Sequence, residues 1–152
     1  RLFTEEDMLK KYGDIPVYAF NFVDYILWKN REELGRKYKG VKFDHFKFAY
    51  RRSIEHWFPQ HPNSDEKIEK MDDQFLHSFG NLCIITDSQN SKFGNLVPSA
   101  KYKQWEGIFD RQSLKLQIMA NITEKTKWES YQIKGLEKEI LPMVKRFIES
   151  KS

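Results

Sequence analysis

The chain has 152 residues, of which 15% are aromatic and 32% are charged, with a formal net charge of +4 and a pI near 9.0. This length is sufficient for one domain with a hydrophobic core, and no apolar run approaches the roughly 20 residues of a membrane-spanning helix. The single cysteine, Cys83, excludes a disulfide framework and a cysteine-rich zinc site, and it fits the reducing cytoplasm in which we expect the protein. The basic charge favours a polyanionic partner, although an ordinary basic surface explains it equally well.

The first forty residues carry helical patterns. Thr4, followed by three acidic residues, predicts a short helix that ends by Gly13. Apolar residues between Val17 and Leu34 recur near helical spacing, which predicts one long amphipathic helix terminated by Gly35. The next segment, 41–48, fits either a strand or the start of a helix.

The central stretch, residues 51–62, reads RRSIEHWFPQHP. Proline lacks a backbone donor and restricts the residue before it, so the run ending at Phe58 and Pro59 predicts a strand that stops and opens into a loop. Glu55 and His56 then lie at a strand end, where both side chains can turn towards one site. A histidine can accept a proton near neutral pH, and a carboxylate can hold a hard cation.

A second strand and a helix follow this stretch. The charged residues 63–73 predict a loop and then a short polar helix, and Leu82–Ile85 forms an apolar run typical of a buried strand. One of the residues 86–88, Thr-Asp-Ser, then caps a helix over 89–93 that Gly94 ends. The predicted order is therefore strand, loop, strand, helix.

The C-terminal third is predicted to be helical. Leu114–Ala120 fits one helix, and residues 123–148 form a second helical region in which Gly135 and Pro142 are candidate breaks. Residues 101–105 mix basic and aromatic side chains as nucleic-acid surfaces do, although a solvated helix start explains them as well.

The two central stretches together resemble a known nuclease motif. A strand that ends in Glu-His before a proline, a second strand opened by Asn-Leu, and a helix carrying Asn resemble the HNH branch of the His-Me finger nucleases, also called the ββα-metal fold. The patterns Arg-x-x-x-Glu-His-x-x-Pro-Gln and Gly-Asn-Leu-x-x-(Leu/Ile)-Thr, with a following Asn, are most similar to one subgroup. This subgroup is the C-terminal nuclease domain, DUF1524, of the GmrSD-type modification-dependent restriction enzymes.

The resemblance implies an α+β fold in one domain over residues 1–152. A small ββα-metal core, about 48–96, is expected between a helical N-terminal part, 1–40, and a helical C-terminal part, 100–150. The resemblance also implies a longer parent protein, in which a nucleotide-dependent N-terminal module controls cleavage. We therefore expect the chain to be the C-terminal fragment of such a restriction or anti-phage defence protein.

The resemblance further implies a site for phosphodiester hydrolysis in DNA. His56 is expected to be the general base, and Glu55 and Asn90 are expected to hold one divalent ion, Mg²⁺ or Mn²⁺. Asn81 is expected to tie the loop between the strands so that His56 is correctly aimed. Asn95 is a second candidate for the ligand on the helix side.

Basic residues around the motif are the expected contacts to nucleic acid, because arginine and lysine suit phosphate oxygens. They are Arg51, Arg52, Lys92 and Lys101. For His77 we expect a hydrogen bond within its loop rather than a bond to a metal.

Two other classes of function remain open at this point. A non-catalytic nucleic-acid-binding module would keep the basic surface without the chemistry, and a helical protein-interaction module would show no salt-dependent DNA binding. The residues do not distinguish DNA from RNA, or modified from unmodified DNA.

Overall fold

The protein folds into a mainly helical α+β domain around a two-stranded sheet. The structure is a computed structural model that describes residues 3–63 and 68–151. The strands in these ranges are β1, Ser53–His56, and β2, Leu82–Ile85. The α-helices are α1 Glu5–Met8, α2 Val17–Lys29, α3 Arg31–Lys37, α4 Asp73–Leu76, α5 Asp87–Phe93, α6 Pro98–Trp105, α7 Leu114–Lys125 and α8 Ser130–Ser150. Short 3₁₀ helices cover Phe43–His45, Phe79–Asn81 and Glu106–Arg111. The α+β fold class is confirmed.

The sheet pairs β1 and β2 in antiparallel register. Ser53 lies opposite Ile85, and His56 lies opposite Leu82. All four residues of β2 are buried, as its continuous apolar run predicts, and Thr86 caps α5 by accepting a hydrogen bond from the Gln89 backbone. Helix α5 packs against β1. The predicted order of strand, loop, strand and helix is therefore confirmed.

The hydrophobic core surrounds this sheet. Strand β2 packs against α2 and α7, while α8 packs against α1, α2 and the 3₁₀ helix 79–81. The core side chains come from both the N-terminal and the C-terminal helices, so the small sheet lies between them. No helix in the described ranges combines the length and the apolar character needed to cross a membrane.

The prediction of one helix from Val17 to Leu34 is wrong. The chain leaves helical geometry at Asn30, where φ is −102° and ψ is 21°, and α3 begins at the next residue. The Asn30 side chain donates a hydrogen bond of 2.7 Å to the Ile26 carbonyl, so it satisfies an acceptor at the end of α2. Gly35, the predicted terminator, lies inside α3.

The candidate breaks in the C-terminal region do not interrupt α8. This helix runs through Gly135 and through Pro142, although proline removes one helical hydrogen bond. Buried residues lie on both sides of the proline, Ile140 before it and Met143 after it. Their packing against the core stabilises a continuous helix that the local sequence alone disfavours.

Two loop predictions have mixed outcomes. Segment 41–48 forms neither a strand nor an α-helix; it contains the 3₁₀ helix Phe43–His45 and then lacks regular structure. The short polar helix after the charged loop is α4, which Asp72 caps through a hydrogen bond from the Gln74 backbone. Residues 64–67 of that loop lie outside the described residues.

Gly80 sets the distance between the loop before β2 and α8. A Cβ atom at this position would lie 2.4 Å from the Ile133 carbonyl oxygen and 2.8 Å from Cγ of Glu137. The Gly80 backbone also donates a hydrogen bond of 3.0 Å to the Glu137 carboxylate. Any larger residue must therefore push the helix away from the loop.

We predict that Gly80→Ala lowers the free energy of unfolding by about 1–3 kcal/mol, because the added methyl overlaps a backbone atom that cannot rotate away. Urea denaturation followed by circular dichroism measures this change. Gly35→Ala is the matched control, since Gly35 is helical and a Cβ added there would meet no neighbouring element within 4 Å, and this variant should gain stability. An unchanged stability of Gly80→Ala would contradict the proposed close contact.

Candidate active site

Asn81 holds the end of β1 against the beginning of β2. Its Oδ1 accepts hydrogen bonds of 2.9 Å from the Phe58 backbone and from the Trp128 indole. Its Nδ2 donates to the carbonyls of Phe58 and Leu76 at 3.0 and 2.9 Å. In addition, the Trp57 backbone donates to the Asn81 carbonyl at 2.9 Å. The residues that follow His56 are thus fixed by one fully buried side chain.

Lys101 lies beneath the same strand end. Its ammonium donates hydrogen bonds of 2.8 Å to the carbonyls of His56 and Trp57, and it lies 3.2 Å from Oε2 of Glu55. Its side chain is fully buried. The prediction that Lys101 contacts nucleic acid is therefore wrong: three oxygens of the protein already surround its ammonium, and no surface remains for a phosphate.

The ion pair between Glu55 and Lys101 is buried, and burial acts on both members. Burial raises the pKa of the Glu55 carboxyl, and the neighbouring ammonium opposes this rise. Burial lowers the pKa of Lys101, and Glu55 opposes that change. The Oε2 atom of Glu55 is shielded from solvent and lies 3.2 Å from the ammonium, which stabilises the ionised carboxylate against the effect of burial.

His56 lies in a pocket formed by two residues from other elements. Its Nε2 is joined by a hydrogen bond of 3.0 Å to Nδ1 of His77, and the ring of Tyr12 packs edge-on at 4.5 Å between centroids. The Tyr12 backbone donates to the His77 carbonyl at 2.8 Å, which links the two neighbours. Burial, followed by the charges of His77 and Lys101, lowers the pKa of His56 to about 4. The imidazole is therefore neutral at pH 7 and can accept a proton.

The sequence did not predict this pocket. The sequence shows His77 near the turn before β2 and predicts a hydrogen bond within its loop. The His77 ring instead makes its hydrogen bond with the His56 ring at the end of β1. Tyr12 lies just after α1, and nothing in its local sequence signals contact with residues 56 and 77. Both contacts depend on how α1 and the loop pack around the sheet.

Contacts at both ends of α5 place Asn90 beside β1. At the first turn, Asp87 accepts a hydrogen bond from the Ser53 hydroxyl, and at the last turn the Phe93 ring packs on Trp57 at 6.0 Å between centroids. Asn90 is three residues from each of them, so the three side chains share one side of the helix. The half-buried Asn90 therefore lies along the part of β1 that carries Glu55.

Asn95, the second candidate ligand, lies beyond the end of α5. Gly94 ends the helix with a φ of +50°, and Asn95 is exposed. Its carbonyl accepts a hydrogen bond of 2.8 Å from the Asn63 backbone, so it belongs to the loop region that follows β1. Of the two candidates, only Asn90 is flanked on the helix by contacts to β1.

The remaining basic candidates differ in accessibility. Arg52 and Lys92 are exposed: Arg52 lies 3.2 Å from the Asp87 carboxylate, and the Lys92 ammonium lies 5.8 Å from the Trp105 ring centre. They stay predicted contacts. Arg51 is only 6% exposed, and its guanidinium donates to the carbonyls of Ala49 and Arg111. The prediction that Arg51 contacts nucleic acid is wrong, because these internal acceptors hold its side chain inside the domain.

The donors at this site fit an oxygen-preferring cation with few protein ligands. The described residues contain no group of three or more His, Cys, Asp or Glu side chains that could hold a metal, so a cation-binding site built on several such groups is not present there. The oxygen donors are the carboxylate of Glu55, whose Oε2 is shielded from solvent and lies 3.2 Å from the Lys101 ammonium, and the side-chain amide of Asn90 on α5. Mg²⁺ accepts such a set because it retains several waters.

The fold and the site together define an α+β domain with a neutral histidine and a buried carboxylate at one strand end, groups suited to hydrolysis. The family model for the C-terminal domain of GmrSD restriction endonucleases matches residues 4–142. The chain therefore belongs to this family, and it is a domain of a restriction endonuclease. Searches of the curated proteins and of the solved structures found no significant match.

We predict that Lys101→Met lowers the free energy of unfolding by about 3–5 kcal/mol, because it leaves the Glu55 carboxylate buried without a counter-charge. Chemical denaturation measures this loss. Lys92→Met, which changes an exposed lysine, is the matched control and should alter stability by no more than about 0.5 kcal/mol. Adding Glu55→Gln to Lys101→Met should recover part of the loss; no recovery would show that the ion pair is not its cause.

Proposed function

We propose that this domain is a metal-dependent DNA endonuclease of the HNH type, which hydrolyses phosphodiester bonds with His56 as general base. Membership of the restriction endonuclease family supports a DNA substrate. The observation that carries the proposed mechanism is the buried His56 ring at the end of β1, which is held against His77 and Tyr12 and has a lowered pKa, and which directly follows Glu55 in the strand. A general base must be unprotonated at the working pH, and His56 meets this requirement.

In this mechanism the neighbours of His56 orient its ring. The proposal requires the tautomer in which Nε2 of His56 donates its proton to Nδ1 of His77, because Nδ1 of His56 is then the nitrogen that can accept a proton from the attacking water. The Tyr12 ring limits rotation of the imidazole from one side. Asn81 and Lys101 fix the backbone directly after His56, so the base is positioned before substrate binds.

Glu55 and Asn90 would hold the divalent ion, Mg²⁺ or Mn²⁺, through a carboxylate and an amide oxygen. When bound, such an ion supplies positive charge that stabilises the charge developing on the phosphate. Arg52 and Lys92 are exposed near β1 and α5, where their charges would attract the DNA backbone. The lysine at position 101 acts on Glu55 from inside and does not contact the substrate in this proposal.

The first test replaces the base. We expect His56→Ala to reduce cleavage by roughly two to four orders of magnitude, because general-base catalysis contributes that much, while DNA affinity changes little. A plasmid-nicking assay with Mg²⁺ or Mn²⁺, with and without a chelator, measures the rate. His45→Ala is the matched control, because His45 is exposed and lies in a different segment, the 3₁₀ helix 43–45. If the purified His56→Ala domain cleaves as fast as the unmodified domain, His56 is not the general base and the proposed mechanism is wrong.

The second test concerns the ion. Asn90→Ala should weaken cation binding, so raising the Mg²⁺ or Mn²⁺ concentration should restore part of the nicking rate. No concentration should restore His56→Ala, since that variant lacks the base. Asn95→Ala is the matched control and should show the rate and metal dependence of the unmodified domain. The reverse result, a metal-dependent defect in Asn95→Ala alone, would assign the ligand to Asn95.

A further inference from the structure

An exposed aromatic ridge precedes β1. We define the ridge as Phe48, Tyr50 and Arg52, whose side chains reach solvent: Phe48 is 54% exposed, Tyr50 is 65% exposed, and the Arg52 side chain is 74% exposed. The residue between the last two, Arg51, is buried. Two large rings and one guanidinium therefore lie on the surface within five residues of chain.

The Phe48 ring is held in place by other aromatic side chains. Its centroid lies 4.9 Å from that of Phe46, 5.6 Å from that of Trp28 and 6.1 Å from that of Tyr25. More than half of its surface nevertheless remains open to solvent. A ring that is already ordered loses little conformational entropy when a flat ligand stacks on it.

The charge around the ridge is positive. Segment 46–52 contains no acidic residue and carries two exposed basic ones, Lys47 and Arg52, and the Arg31 guanidinium lies 4.1 Å from the Trp28 ring centre behind Phe48. The carboxylates nearby are Asp44, 3.9 Å from Arg31, and Asp87, 3.2 Å from Arg52. With two of these cations balanced by carboxylates, Lys47 leaves a net positive charge at the ridge, and aromatic faces beside a positive charge suit a nucleic acid strand more than a neutral apolar partner.

The ridge lies close to the candidate active site along the chain. Tyr50 precedes His56 by six residues, which span at most about 20 Å even when fully extended. Arg52 directly precedes the first residue of β1. A strand bound along the ridge would thus be within a few nucleotides of His56.

We propose that the ridge binds unpaired nucleotides of the DNA substrate, with bases stacked on Phe48 and Tyr50 and a phosphate at Arg52. This proposal rests on the proposed function, because it names the form of DNA that the same site receives. Bases in a duplex present their edges in the grooves, whereas unpaired bases present flat faces that stack on aromatic rings. The ridge offers such rings next to the expected position of the reacting phosphate.

The test measures binding without cleavage, in the His56→Ala background. Fluorescence anisotropy compares a labelled single-stranded oligonucleotide with the duplex of the same sequence at one salt concentration. Tyr50→Ala should weaken binding of the single strand by about 5- to 100-fold, as the loss of one stacked base does, and should leave duplex binding unchanged. Tyr50→Trp should retain the affinity, whereas Tyr50→Leu should not.

Two further variants make this result specific. Phe48→Leu keeps an apolar contact with the neighbouring rings and should also weaken binding of the single strand alone. Tyr131→Ala changes a tyrosine that is 81% exposed at the start of α8, and it should bind both forms of DNA normally. Circular dichroism melts verify that each variant remains folded.

Three results would overturn the proposal: unchanged single-strand affinity in both ridge variants, an equal loss of single-strand and duplex affinity, or no DNA binding by the His56→Ala domain. Unchanged single-strand affinity would assign the ridge to another partner. An equal loss of single-strand and duplex affinity would make the ridge a general phosphate contact. The plasmid assay of His56 does not depend on these measurements. If nicking requires His56 while the ridge variants bind normally, only the ridge proposal fails.

Discussion

The amide of Asn81 is the constraint on which the rest of the site depends. An amide side chain has two donor hydrogens and one oxygen acceptor with two lone pairs, and Asn81 uses all of them while fully buried. Its partners belong to three places: Phe58 after β1, Leu76 in α4 and Trp128 before α8. One side chain therefore joins the strand that carries Glu55 and His56 to the loop before β2 and to the C-terminal helix. Because an unsatisfied buried amide group costs free energy, any movement of one partner is opposed by the others.

A sheet of only two strands leaves many backbone groups without a neighbouring strand, and buried lysines replace the missing partners here. Lys101 donates to the carbonyls of His56 and Trp57. Lys115 lies on the other side of the loop and donates to the carbonyls of Phe79 and Leu82 at 2.9 and 2.5 Å. An ammonium has three hydrogens on a long, flexible stem, so it can satisfy several carbonyls at a place where no strand fits. Burial lowers the pKa of Lys115 to about 8, which is the electrostatic cost of this solution.

The parts of the fold that could be predicted are those coded by local sequence. The apolar run Leu82–Ile85 gave the bounds of β2, and Gly94 marked the end of α5, because strand burial and helix termination depend on neighbouring residues. The break at Asn30, the continuous helix through Pro142 and the burial of Lys101 were predicted wrongly or not at all. Each is decided by contacts between residues that are distant in the sequence, and those contacts override local preference. In the candidate site, Glu55 and His56 adjoin in the sequence and could be predicted together. Their partners Lys101, His77 and Tyr12 are distant in the sequence, so the local sequence does not predict these contacts.

The burial of Lys101 also changes the expected behaviour of the proposed metal site. The family resemblance implies that Glu55 is a metal ligand, yet its negative charge is already balanced by an ammonium at 3.2 Å. Two cations on one carboxylate repel each other, so the lysine must weaken the binding of a divalent ion. At the same time it favours the ionised form of Glu55 against the effect of burial, and only the ionised form is a good ligand. In the proposed mechanism the two effects oppose each other: Lys101 keeps the carboxylate ready for an ion and limits how tightly that ion is held. In the proposal, Glu55 and Asn90 would hold such an ion with most of its waters in place, and the ion would supply positive charge to the phosphate.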